Sequence, residues 1–113
     1  MYRCILCQMI EGTVQCNKIY EDEDLFAYLD WNPWAPIHIV LYPKTHIGTQ
    51  DKDNTDFIRL RQKMLDAVPK VADLAGCAEG YELHTEEEED HVAQNEAHLH
   101  IHILGQKRLN EGE

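Results

Sequence analysis

No apolar run in these 113 residues approaches the roughly 20 needed to cross a bilayer as a helix. The opening "MYRCILCQMI" also lacks the apolar stretch of a secretion signal. Both absences lead to the expectation of a soluble protein kept in the cytoplasm. Basic residues are scarce as well: 10 Lys and Arg stand against 21 Asp and Glu, for a net charge of −11. Nucleic-acid backbones and anionic membranes require a basic footprint, so neither is expected as a partner. A small phosphorylated ligand is still allowed, because a local group of donors suffices for it. Internal repeats are lacking. The acidic "EEEED" of Glu86 to Asp90 and "YEDED" of Tyr20 to Asp24 read as solvated loops or turns. Four cysteines in a chain with no export signal are poor material for disulfides. Cys16 and Cys77 read as ordinary buried or half-buried thiols. Cys4 and Cys7 form C-x-x-C, which has a redox reading and a metal reading; the redox reading needs a βαβ setting that is not visible here.

What is present fits one domain over residues 1–113, with a modest core. "CILCQMIEG" reads as a short helix ending near Gly12. Lys18 to Tyr20 and Leu25 to Leu29 read as short strands joined by an acidic turn. "WNPWAP" carries Pro33 and Pro36 and must be a loop, while "IHIVLYP" (Ile37 to Pro43) is aliphatic and β-branched enough for a central strand. The period then changes. Phe57, Leu60, Met64, Leu65 and Val68 recur at three and four, and Val71, Ala72 and Ala75 extend the same face. Asp53 or Asn54 can cap this long helix and Gly76 can end it, with Pro69 predicting a kink. "YELHT" and "HLHIHILG" supply the last strands. The fold class is α+β, with an antiparallel sheet.

"HLHIHIL", residues 98 to 104, alternates imidazole and aliphatic. Alternate residues of a strand face opposite sides. Leu99, Ile101 and Ile103 are therefore expected in the core beneath the long helix, and His98, His100 and His102 on the other face. A neutral imidazole can attack phosphorus, while a protonated neighbour can hold a phosphate oxygen or protonate a leaving group. Two other readings stand beside this one: three polar groups on the wet face of a sheet, or a zinc ion held by all three rings. Successive alternate positions on one strand splay widely for a single tetrahedral ion.

The run from His98 to Leu104 resembles the signature of the histidine triad (HIT) family. "CILCQMIEG", "YEDEDLFAYLDWNPWAPIH" and "PKTHI" are similar to further family segments in the same order, from about Cys4 to Gly105. The resemblance implies a homodimer with one purine-nucleotide site per subunit, and chemistry at the α-phosphate through a covalent nucleotidyl-histidine. By position the nucleophile is His100, with His102 and His38 beside it and His98 completing the triad. Histidine at the third triad position is similar to the hydrolase branches. "HILG" looks closest to the Hint-like branch, whose usual substrates are nucleoside phosphoramidates. Asp30 matches the ribose-binding acid. Ile5, Leu6, Met9, Tyr28 and Trp31 match the base slot, and Asn95 matches a polar donor to phosphate. Cys4, Cys7, His46 and His98 match a structural zinc site in many bacterial members.

The chain departs from the family before the triad. An asparagine is replaced near Thr85 or Glu86, and Ala93 stands for a glycine that precedes Gln94. Carboxylates there repel a phosphate unless they turn to solvent, which is the expectation. His84 and His91, flanking this block, read as solvated histidines rather than ligands of a stray metal. The sequence ends soon after Gly105, leaving little of the extension by which relatives reach across their dimer. Two functional classes follow. One is a nucleotide hydrolase acting on phosphoramidates or, alternatively, on dinucleoside polyphosphates by the same histidine. The other is a weakly catalytic, zinc-stabilised nucleotide-binding module.

Overall fold

A computed structural model describes residues 4–30, 36–47, 54–85 and 98–105. In chain order the elements are α1 (Ile5–Glu11), β1 (Asn17–Glu21), β2 (Leu25–Leu29), β3 (Ile37–Pro43), α2 (Thr55–Ala75), β4 (Tyr81–Thr85) and β5 (Ile101–Gly105). The strands form one antiparallel sheet in the order β1-β2-β3-β5-β4. This is the expected α+β arrangement, with β3 at the centre. The turn into β2 is built by Asp22, whose carboxylate accepts from the backbone N–H of Asp24 and of Leu25, both at 2.8 Å.

Helix α2 starts where Asn54 accepts the Asp56 N–H at 2.7 Å and stops where Gly76 adopts φ 89°. Asp53, the other candidate cap, lies outside the described residues. The helix runs on through Pro69. That proline is exposed, so water can satisfy the Leu65 carbonyl that it leaves without a donor. The buried face of α2 (Phe57, Leu60, Met64, Val68, Val71 and Ala72) meets Leu25, Ala27, Ile39, Leu41, Ile101 and Ile103 from the sheet. Leu60 and Met64 are almost fully buried, each worth roughly 1.5–3 kcal/mol of hydrophobic stabilisation.

The opposite face of the sheet has two parts. Over β2 and β3, α1 seals a second apolar cluster of Cys4, Leu6, Met9, Phe26, Tyr28, Val40 and Tyr42. The Tyr42 hydroxyl donates to the Leu6 carbonyl at 3.0 Å and ties the helix down. The histidines occupy the rest.

Strand β5 begins at Ile101, three residues later than the alternating pattern predicts. The His98 carbonyl instead accepts from the ring of His100 at 2.8 Å, which takes it out of a ladder. Leu99 N–H bonds the Ile47 carbonyl at 2.7 Å, so this lead-in is still anchored, and Leu99 keeps its predicted place in the core.

Gly105 closes β5 against Cys77. A Cβ built there would stand 2.5 Å from both Cβ and Sγ of Cys77. Gly105→Ala is therefore expected to destabilise the fold by about 1–3 kcal/mol through overpacking. An unchanged midpoint in chemical denaturation would contradict that.

Candidate functional site

Antiparallel register places named side chains side by side on the face that α2 does not cover. Asp30 N–H bonds the His38 carbonyl at 2.9 Å, extending the β2–β3 pairing. Tyr28 is opposite Val40, Val40 is opposite His102, and His102 is opposite His84. Directly opposite residues share a face, so His84 of β4 stands on the same side as the triad. It is in a strand, half-buried, with Glu82 3.7 Å away, and not a solvated loop histidine. The sequence carried the signal in the period of two from Tyr81, which puts Glu82 and His84 on one face.

His38, His98, His100 and His102 are all buried, at 1%, 1%, 4% and 9% exposure. The wet-face reading of the triad is therefore overturned. Buried imidazoles need partners, and these have them. His38 Nε2 lies 2.8 Å from His102 Nδ1, so one of these nitrogens carries the shared proton. His38 Nδ1 faces the Asp30 carboxylate at 3.8 Å. The ring of His100 stands edge-on to that of His102, centroids 5.1 Å apart. His100 Nδ1 donates to the His98 carbonyl, an acceptor only, so in the neutral ring the lone pair sits on Nε2.

Burial pulls the proton affinity of His102 down to about 3, with the neighbouring His100, His38 and His84 adding to the effect. Burial also lowers that of His38; Asp30 opposes the change and His84 reinforces it. The sign of the pH dependence follows. Unfolded, each ring binds a proton near pH 6.5, whereas folded His102 resists down to about 3. This contribution to stability is complete above pH 6.5 and is lost as pH falls through that window. The urea midpoint is expected to be lower at pH 5 than at pH 7.5, by on the order of 1 kcal/mol in unfolding free energy. Equal midpoints would contradict this.

The residues matched to a base slot divide. Leu6, Met9 and Tyr28 are buried in the second apolar cluster, whereas Ile5 is half-buried at its edge. Asp30 is partly exposed beside His38. Trp31, Asn95, the Glu86 to Asp90 block and His91 lie outside the described residues.

Cys4, Cys7, His46 and His98 do come together, their ligand atoms all within 4.8 Å of one another. Cys4 Sγ and Cys7 Sγ lie 3.3 and 3.7 Å from His98 Nδ1, and Cys7 Sγ lies 3.2 Å from His46 Nδ1. Ligands around tetrahedral zinc sit roughly 3.3–3.8 Å apart, so these residues fit the ion. The chemistry of the donors fits too. His98 Nε2 donates to the Pro43 carbonyl at 2.8 Å, which leaves Nδ1 as a bare lone pair aimed at both sulfurs. Burial, and then the adjacent Cys4, pushes the Cys7 thiol up to about 12, so a cation must displace its proton to bind. The arrangement also answers the three-histidine zinc reading: His98 turns to the thiols, whereas His102 turns to His38.

A family model described as the HIT domain matches residues 11–109. Protein HitA of Neisseria gonorrhoeae is 31% identical over 105 residues, covering 93% of this chain and 97% of that protein. A 14 kDa zinc-binding protein of Zea mays is 30% identical over 108 residues, covering 94% and 84%. Among solved structures, a HIT family hydrolase from Clostridium thermocellum is 34% identical, with a TM-score of 0.78 over 100% of this chain and 96% of that one. The fold, the four buried histidines on one sheet face and these matches agree: the chain belongs to the histidine triad family.

Proposed function

We propose that this protein is a nucleotide hydrolase of the phosphoramidase type, closest to the Hint-like branch. It would act at the α-phosphate of purine nucleoside phosphoramidates through a covalent nucleotidyl-histidine. The observation that carries the reading is the 2.8 Å contact of His100 Nδ1 with the His98 carbonyl: a carbonyl only accepts, so Nδ1 holds the proton and the lone pair of the neutral ring lies on Nε2. Attack by Nε2 forms an N–P bond as the P–N bond to the amine breaks, and the departing amine takes up a proton. Water then cleaves the N–P bond, releasing the nucleoside monophosphate and restoring the ring.

The His38–His102 pair supports the charge change. Empty, it is held neutral by burial. An anionic phosphate favours a proton on the pair. If both His38 nitrogens are protonated, Nδ1–H faces Asp30 and Nε2–H donates to His102 Nδ1. His102 is then left with its proton on Nε2, able to donate to a phosphate oxygen as negative charge builds. Asp30 would serve the ribose as well, with Ile5, Leu6, Met9, Tyr28 and Trp31 shaping the base slot and Asn95 reaching the phosphate.

Zinc is the metal we assign to Cys4, Cys7, His46 and His98, where it would bind α1 and the lead-in to β5 together. A relative of similar size being a zinc-binding protein supports this. We read the whole of residues 1–113 as a single domain, working as a homodimer in the cytoplasm, whose reducing conditions suit four free cysteines.

The experiment is to follow adenosine phosphoramidate and a dinucleoside polyphosphate separately by phosphorus NMR. Release of adenosine monophosphate, faster from the phosphoramidate, is expected. Binding of the monophosphate with no release from either substrate would overturn the enzyme reading and leave a binding module.

A further inference from the structure

His98 belongs to two constellations at once. Its ring lies in the metal cluster, 3.3 Å from Cys4 Sγ and 3.7 Å from Cys7 Sγ, with the ring of His46 4.6 Å away between centroids. Its main-chain carbonyl accepts the Nδ1–H of His100 at 2.8 Å.

We propose that the Cys4–Cys7–His46–His98 cluster, when it holds its metal, is a positioning device for His100, acting through the His98 main chain. The inference rests on the reading of His100 as the nucleophile. The ring of His98 is pinned along one edge by Nε2–H donation to the Pro43 carbonyl and packed edge-on by Tyr42, centroids 5.1 Å apart. Its remaining edge, Nδ1, faces the sulfurs of Cys4 and Cys7. Without a metal that contact is a thiol hydrogen bond, which is weak and rotates freely about the Cβ–Sγ bond. With a metal it becomes a ligand bond of fixed length and direction. His98 lies before the regular ladder of β5, so its carbonyl lacks the restraint of a strand in mid-sheet. Its direction is set by the ring on one side and by the Leu99 N–H bond to Ile47 on the other.

Fixing that carbonyl fixes the proton of His100 on Nδ1, and with it the lone pair on Nε2. A freer carbonyl lets the ring of His100 turn, or exchange into the tautomer that carries its proton on the attacking nitrogen. Cys4, Cys7 and His46 touch no reacting atom in this account; they are positioning residues. Outer-shell groups of this kind affect activity by roughly 10- to 100-fold.

The test compares zinc-loaded protein, chelator-treated protein and His46→Ala, which removes an exposed ligand outside the triad. Two-bond proton–nitrogen NMR of the histidine rings reads the tautomer of His100 directly. With zinc, a single Nδ1–H tautomer is expected. In the chelated protein and in His46→Ala, averaging toward a mixture is expected, with kcat down roughly tenfold and KM within about twofold. Circular dichroism selects the samples that remain folded. If chelation unfolds the protein, the comparison rests on His46→Ala with and without added zinc. The same His100 tautomer and the same kcat in all folded samples would overturn the coupling. Loss of all hydrolysis in the zinc-loaded protein would instead sink the proposed enzyme, and the ring spectra would still decide whether the metal sets the tautomer.

Discussion

His100→Ala is expected to lower kcat/KM for a nucleoside phosphoramidate by at least about 10⁴-fold while leaving the affinity for the nucleoside monophosphate within a few-fold. The two effects separate because the ring does two jobs of unequal weight. As the proposed nucleophile it would make the bond that divides one hard displacement into two easier ones. As a neighbour it fills a buried niche beside His102, and alanine leaves there a small polar-lined space that water can occupy. The shared proton of His38 and His102 lies between those two rings, so the pair proposed to meet the phosphate survives the substitution. Full turnover in His100→Ala would remove the nucleophile assignment. Equal loss of turnover and binding would indicate a collapsed site.

Removing the metal proposed for the Cys4–Cys7–His46–His98 cluster is expected to have the second largest effect, and on stability. Any ligand that binds only the folded chain stabilises it by about 4 kcal/mol at a thousand times its dissociation constant. For a domain of this size that is on the order of 15 °C in Tm. The contribution is large because the cluster ties a short element to the rest of the fold. Helix α1 has seven residues and no side-chain cap at Cys4, and it is held by the Tyr42 hydrogen bond, the apolar cluster around Leu6 and Met9, and the contacts of Cys4 and Cys7 with His98 and His46. A helix this short is not stable by itself. Chelation should therefore lower Tm by ten degrees or more, with the loss reversed by zinc. A thermal midpoint indifferent to chelator and to added zinc would contradict the cluster as a metal site.

Much of this molecule can be read from period alone. The spacing of Phe57, Leu60, Met64 and Val68 specifies α2 and its buried face, because tertiary burial follows the helical repeat. Asn54 and Gly76 mark its ends for reasons local to the backbone. The alternation around His98 to Ile103 separates core from site correctly even where the strand is not regular. Cross-strand register is a different matter. That His84 stands opposite His102 depends on pairing between β4 and β5, which no local pattern fixes. The burial of all four site histidines is likewise a property of the assembled sheet and α1. The residues matched to a base slot show the same limit: Leu6, Met9 and Tyr28 are apolar positions whose period fits a core as well as a pocket, and they do pack in a core cluster.

The proposed bond between Nε2 of His100 and the α-phosphorus is the step on which hydrolysis depends. It is tested most directly by mixing the protein with adenosine phosphoramidate, quenching rapidly in base, where phosphohistidine survives, and measuring intact mass. A transient increase equal to one adenylyl group per chain is expected in the native protein, and none in His100→Ala. Rapid release of adenosine monophosphate with no adduct from a substrate chosen for slow breakdown, or an adduct that persists in His100→Ala, would contradict it.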